Sequence, residues 1–390
     1  MNVLILGGGA SGMVAALSAA ENKSNSVVLL ERQSRVGRKL SATGNGRCNL
    51  TNINPPEGHY HGEDEDFPLP ALRRFDELAF FESLGLVCSR QYGGRVYPHS
   101  DSANSVVDVL RFSLEAAGVR VVTGADVRSS TVSARGFRTV CEDETFFSDS
   151  LIIACGGKAG SKLGGVSCGY ALLHSFGHSC TALSPALVPV KTSDDYTRSL
   201  KGVRCEARLR YGTTVSDGEL QFTEGGISGP AAFDISRAVS VSDGGEVAID
   251  LLPEGPDILP VLLRRRASMP ELEAGSLLAG ILHSRLGLVV VKYAGVRPSA
   301  SLSLLSDADL SRIAASCRHF VLPVAGVGSF ENAQITVGGI RTSEFDPETM
   351  RSRLVPGLYA CGEVLDVDAD CGGYNLRWAW ASGYLAGKLL

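Results

Sequence analysis

The sequence predicts an α/β fold in which a parallel-sheet domain is split by a β-rich insert and a small helical one. Three observations carry this reading. An apolar strand at the N-terminus runs straight into a glycine turn and an Ala-rich helix. Strand-then-helix texture returns only after Gly328. Between them the pattern turns first to short β pieces and then to helical spacing. The expected organisation is 1–187 with 325–390 for the split domain, 188–254 for the β insert with 320–330 joining it, and 255–319 for the helical domain.

Asn2–Leu6 is a short apolar run suited to a strand buried on both faces. Gly7, Gly8, Gly9, Ala10, Ser11 and Gly12 follow, then an Ala- and Leu-rich helix over Met13–Ala20. A second strand, Ser26–Leu30, ends at Glu31 and Arg32, the acid lying 19 residues past Gly12. Each part has a physical task. Gly7 permits the tight turn, Gly9 lets a pyrophosphate reach the backbone, and Gly12 lets helix and strand pack closely. The helix start at Ala10 and Ser11 offers free N–H groups to phosphate. Glu31 can accept the hydroxyl protons of an adenosine ribose. Strand, turn, helix and spaced acid together predict a Rossmann-like dinucleotide-binding domain.

A simple NAD domain would continue with a helix and a strand. Here a polar, glycine-spaced loop runs from Gly37 to Asn52. Arg38 and Lys39 supply positive charge, and Thr43, Gly44, Asn45, Gly46 and Asn49 suit a loop beside a large planar cofactor, which favours FAD. Arg47 either holds an anionic or carbonyl substrate or binds a cofactor phosphate. Cys48 reads as a buried structural thiol.

Further on, Ser102–Ala117 has helical spacing, Val119–Val122 is a strand, and 131–147 alternates as an antiparallel excursion. Leu151–Ala154 is a buried strand ending in Cys155, Gly156 and Gly157. The stretch 186–253 is β-rich, with pieces at 187–190, 203–211, 219–222 and 247–251. From 256 to 320 the spacing is helical; Ser306 and Asp309 form a capping box, and arginines 264–266 read as a solvated helix face. A strand over Gly357–Gly362 precedes Glu363 and Asp366, where a carboxylate can bind a ribityl chain. The last helix opens at Gly373, Tyr374, Asn375 and Leu376, and its N–H groups and dipole can face a flavin N1–C2=O edge. On that reading a side chain at Gly373 strikes the cofactor or tilts the helix, while the protein still folds.

The run GRKLSATGNGRCNLTN from Gly37 resembles the signature of the YhiN/BaiN (aminoacetone-oxidase-like) family of FAD-dependent NAD(P)/FAD oxidoreductases. Further matches are Gly94–Pro98, Thr123–Val127, Leu151–Lys158, Phe222–Pro230, Thr336–Gly339 and the C-terminal run. The resemblance implies a glutathione-reductase-like, discontinuous FAD domain with an inserted β-barrel-like domain and a small helical domain. It implies cofactor contacts at Val127, Ala154, Gly156, Gly362 and Glu363 as well as the first motif. It also implies either reduction of a conjugated C=C bond or oxidation of a small amine such as aminoacetone. Some related FAD proteins modify tRNA, and a non-catalytic FAD module is a further alternative. Arg47 and Tyr374 are the candidate catalytic residues. Ala369 stands where the family usually has Gly, Arg377 where it has Gln, and Ser167-Cys168 departs from the usual loop; Arg377 bears on substrate charge preference.

Composition narrows the classes. Net charge is −5 and there is no basic tail, so a small-molecule substrate rather than nucleic acid is expected. The 10 cysteines contain no C-x-x-C and no tight Cys/His spacing, which points to reduced thiols in a cytoplasm and no metal. Val3–Ala20 imitates a signal peptide, but no basic residue precedes it and glycines interrupt it; no other stretch suits a membrane span. His99, His174, His178 and His319 show no triad or ligand spacing. No second strand–GxGxxG–helix unit is present, so NAD(P)H would visit transiently, or O₂ would take the electrons.

Overall fold

The computed structural model describes residues 1–390, which divide into two compact units: Met1–Ser184 with Phe330–Leu390, and Pro185–Ser329. In the first unit the elements that frame the site are β1 (Asn2–Leu6), α1 (Ala10–Ala20), β2 (Ser26–Glu31), α2 (Ala103–Ala116), β3 (Arg120–Thr123), β4 (Ser150–Ile153), β5 (Leu358–Ala360) and α3 (Tyr374–Lys388). The five strands form one all-parallel sheet in the order β5-β4-β1-β2-β3. Leu4 aligns with Val28 on one side and Leu151 on the other. β4 is buried along its whole length, as is β1 past Asn2, which is why both read as continuous apolar runs. Val3–Ala20 is thus the central strand and helix of this unit.

α3 is tied into the same core. A Cβ on Gly383 would lie 2.3 Å from the Ser11 carbonyl oxygen, and one on Gly387 2.3 Å from that of Ala15. The two glycines let the α3 and α1 backbones approach directly. Trp378 and Trp380 are buried, and their indole N–H groups donate to the carbonyls of Gly362 and Leu50 at 3.2 and 2.8 Å. These bonds hold the start of α3 against both the end of β5 and the segment around residue 50. The antiparallel excursion is a three-stranded sheet of 127–133, 136–141 and 145–148. The loop after β2 is more compact than its composition suggests. A 3-10 turn at Leu40–Ala42 leads into a tight turn at Thr43–Gly46, where Gly44 and Asn45 both take left-handed φ of 56°.

The second unit contains a closed barrel of six strands. Phe320–Val327 closes it, pairing with Gly245–Asp250 and Val190–Thr192. Within the β-rich stretch, between the pieces at 219–222 and 247–251, lies a helix, Pro230–Ser240. Gly229 (φ 96°) and Pro230 at the first turn start it, and Ala231, Ala232, Ile235 and Val239 bury one face. Helices 259–268, 284–293 and 307–318 pack into the same apolar cluster as the barrel. The Ser306–Asp309 capping box forms in both directions. The arginines 264–266 are not uniformly solvated: Arg265 donates to the Leu277 carbonyl at 2.6 Å and Arg266 to that of Leu305 at 2.8 Å. Only Arg264 is exposed. Neither unit has a helix long and apolar enough to cross a membrane.

Candidate functional site

The carboxyl ends of parallel strands are where an α/β sheet offers a crevice for a ligand. Here β1, β2, β4 and β5 all end in motif residues. Gly7 (φ 111°) turns the chain, and a Cβ on Gly12 would sit 1.8 Å from its carbonyl oxygen. Gly9 is different: a Cβ there meets nothing within 4 Å. Gly12 and Gly7 therefore serve close packing, and Gly9 faces open space at the mouth of α1. Ser11 is buried and packs against Gly362, whose Cβ would lie 2.5 Å from the Ser11 hydroxyl. Ala154 at the end of β4 is buried against Gly7, while Gly156 and Gly46 also face open space.

The Glu31 carboxylate accepts the N–H of Gly8 at 2.8 Å and that of Gln33 at 2.7 Å, one on each oxygen. A carboxylate offers about four lone-pair positions, so two remain for ribose hydroxyls. Glu31→Ala is expected to weaken FAD retention about 10- to 100-fold, the equivalent of one charged hydrogen bond. Equilibrium dialysis at limiting FAD checks it; unchanged retention shows that Glu31 is not the ribose ligand.

The two ends of the chain meet at Lys39 and Glu363. Their side chains pair at 2.7 Å, and the other Glu363 oxygen accepts the Thr336 N–H at 2.8 Å. Both are partly buried, so this is a better-shielded contact than a surface pair. By contrast, Arg32 and Arg38 are exposed, and Arg38 donates to Gln33 at 2.5 Å. The Thr43 hydroxyl donates to the Leu40 carbonyl at 2.7 Å. Asn49 Oδ1 is buried without a hydrogen-bond partner. Val127, half-buried, opens the 127–133 strand. Asp366 is buried, accepts the Thr181 hydroxyl at 3.0 Å, and has its pKa raised by burial and by neighbouring Asp368 and Glu63.

At the α3 mouth the first intrahelical bond runs from Arg377 N–H to the Gly373 carbonyl. The N–H groups of Tyr374, Asn375 and Leu376 are therefore not used within the helix. The Asn375 side chain is fully engaged, accepting from Ala369 N–H at 3.0 Å and donating to its carbonyl at 2.7 Å. Leu376 is half-buried. Gly373 has φ of 109°, and a Cβ on it would lie 2.5 Å from the Thr51 carbonyl oxygen. A Gly373 side chain therefore meets protein backbone first, which predicts a less stable fold rather than a normally folded variant.

Arg377 is committed to the fold rather than to a substrate. It donates to the carbonyls of Asn52 and Asn54 at 3.0 Å each, and its Nε lies 3.1 Å from buried Glu77 without hydrogen-bond alignment. Arg47 pairs with Asp101 at 2.6 Å and stacks over the Tyr97 ring at 4.4 Å. Cys48 is buried, which pushes its thiol up to about 12 and makes it inert. His178 is buried between Glu344 and Ser352 at 2.8 and 2.9 Å, a structural placement.

Sequence reading missed His59, His61 and Asp370. A two-stranded antiparallel ribbon of Tyr60–Gly62 and Val367–Ala369 places them at the α3 mouth. His59 Nδ1 lies 2.9 Å from one Asp370 oxygen and His61 Nε2 2.8 Å from the other. The His59 ring stacks on Tyr374, with centroids 4.2 Å apart. Burial opposes ionisation of Asp370, but His61 and His59 together hold its carboxyl below the usual range. The available signal was His-Tyr-His alternation, which on a strand puts both imidazoles on one face.

Three separate segments thus leave glycines facing open space, a buried amide oxygen lacks a partner, and Glu31 keeps lone pairs free. These features fit an adenine dinucleotide, with Gly9 and Gly156 leaving room for its backbone-bound phosphates.

The chain matches the family described as HI0933-like protein Rossmann domain over residues 1–389. It is 39% identical to a 3-dehydro-bile acid Δ(4,6)-reductase of Clostridium scindens, over 98% of this chain and 97% of that one. It is 32% identical to a ribosomal RNA dihydrouridine synthase of Escherichia coli, over 98% and 96%. Among solved structures, an open-conformation flavocytochrome c3 fumarate reductase aligns with 100% of this chain and 77% of its own, at 17% identity and a TM-score of 0.49.

Proposed function

The chain belongs to the HI0933-like Rossmann family, and from that premise we propose that it reduces a carbon–carbon double bond conjugated to a carbonyl in a small organic substrate, with NAD(P)H as a transient electron donor. That it is an FAD-dependent oxidoreductase follows from the family; the bond reduced and the donor are the proposal. The observation that carries it is the 39% identity, along nearly the whole chain, to a protein named as a bile-acid Δ(4,6)-reductase. The dihydrouridine synthase relative supports the same bond chemistry, because dihydrouridine is uridine with a carbonyl-conjugated ring double bond reduced.

FAD, when bound, supplies the hydride. This chain's residues do the rest. The Gly7–Gly12 turn and α1 mouth would hold the pyrophosphate, Glu31 the adenosine ribose, and Glu363, oriented by Lys39, the ribityl chain. The α3 mouth offers N–H groups and a positive dipole end that would stabilise the negative charge a reduced flavin carries there. With one glycine-rich dinucleotide turn in the sequence, a nicotinamide would have to come and go at the same site.

NAD(P)H is expected to bleach the flavin under nitrogen, and a 3-oxo-4,6-diene steroid acid to restore its colour. Bleaching by aminoacetone instead, with peroxide formed in air, favours an amine oxidase. A second reading, a uridine in RNA as substrate, rests on the 32% identical relative. The net charge of −5 weighs against it, and dihydrouridine formed in an RNA substrate while steroid enones fail to react would establish it.

A further inference from the structure

Reduction of a conjugated double bond needs a proton as well as a hydride, and this rests on the reading just given. Arg47 is held by Asp101 and Tyr97. Tyr374 is buried, and burial raises its phenol pKa, so it is a reluctant acid. The cluster beside it has no other assigned purpose. His61 lies on the Tyr60–Gly62 strand and His59 immediately precedes it, and the two share the Asp370 carboxylate, one oxygen each. Asp370 is held in turn by its own N–H donating to the His59 carbonyl at 3.0 Å. The side chains of His59, His61 and Asp370 are 36%, 23% and 39% exposed, so the hydrogen-bonded cluster is open to solvent.

We propose that His59 is the proton donor of this site. Asp370 binds its Nδ1 and fixes the ring on the Tyr374 face, leaving Nε2, on the opposite edge, to meet the substrate. The carbon β to the carbonyl takes the hydride with its two electrons. The π bond breaks, and the α-carbon takes the proton from Nε2–H of the imidazolium. His59 ends neutral, still donating Nδ1–H to Asp370, and regains its proton from water. His61 and Asp370 are positioning residues: the carboxylate selects the ring orientation and stabilises the imidazolium, and His61 holds the carboxylate in place. The charged groups acting on Asp370 are His61 and His59 themselves, and those acting on the Tyr374 ring beside His59 are Asp370, Arg377 and Arg95.

The test uses the FAD-loaded protein, reduced under nitrogen and mixed with the steroid enone in a stopped-flow instrument. His59→Gln is expected to slow flavin reoxidation by the enone about 10²–10⁴-fold, as loss of a general acid does. FAD content and reoxidation by O₂ should stay at wild-type values. The pH limb of the enone reaction should vanish in His59→Gln and shift in Asp370→Asn. A readout independent of turnover is carboxyl NMR of aspartate-labelled protein, where the Asp370 midpoint should rise in His59→Gln and in His61→Gln. A His59→Gln protein with the wild-type enone rate and pH profile overturns the assignment. Wild-type protein that no enone reoxidises overturns the proposed function, and this inference with it.

Discussion

Gly12→Val is expected to abolish FAD retention and to destabilise the apoprotein as well. The Cβ alone would stand 1.8 Å from the Gly7 carbonyl oxygen and 3.2 Å from the Ala154 Cβ. Gly7 cannot easily yield: its φ is 111°, and its own Cβ position is 2.3 Å from the Ala154 carbonyl. β1, α1 and β4 are thus boxed together at one point, and forcing them apart moves the centre of the sheet. Overpacking of a well-packed site costs about 1–3 kcal/mol and more where backbone must shift. Gly9→Val is the informative companion. Nothing lies within 4 Å of its Cβ, and its φ of −80° and ψ of −167° suit any residue. The Gly9→Val apoprotein should unfold within about 0.5 kcal/mol of wild type, as for a surface change, yet lose FAD. Apoprotein melting and FAD released per chain separate the two. Gly9→Val protein with full FAD content would show that the pyrophosphate does not lie at this turn.

These two glycines also show what was legible from sequence. The strand, the turn and the helix were readable because each position has one local physical reason to hold its residue type. The capping box at Ser306 and Asp309 was readable for the same reason, since its partners are three residues apart. The barrel's closing strand, Phe320–Val327, lies after the helices and far in sequence from its partners at 245–250 and 190–192. The Pro230–Ser240 helix was hidden inside a stretch that reads as β-rich on both sides. The His59–Asp370 contact joins residues 311 apart through a ribbon of three-residue strands, too short to announce a pairing. Gly383 and Gly387 read as ordinary helix glycines, and only the packing of α3 on α1 gives them a purpose. Arg377 drew attention as a change of charge near the cofactor, but its guanidinium is turned to the carbonyls of Asn52 and Asn54.

Gly373→Ala should destabilise the protein by about 2–5 kcal/mol before any effect on the flavin is considered. Two costs combine. A residue with a Cβ held at φ of 109° is strained, at about 1–3 kcal/mol. The Cβ also meets the Thr51 carbonyl oxygen at 2.5 Å and Asn49 Oδ1 at 3.0 Å. Thr51 pairs with Val96 in a neighbouring ribbon, and its hydroxyl donates to buried Glu77 at 2.6 Å, so the strand has little room to retreat. Relief by moving α3 is also blocked, because Trp380 donates to Leu50 and the helix glycines lie against α1. The variant is therefore expected to show a lower urea midpoint in the apoprotein, with loss of FAD following from the loosened α3 mouth. If instead the apoprotein keeps its wild-type midpoint and FAD affinity alone falls, the cofactor itself must lie against Gly373, and the Thr51 strand must be able to move aside. Measuring the apoprotein first decides between them, because the backbone collision is present with or without the cofactor and the cofactor collision is not.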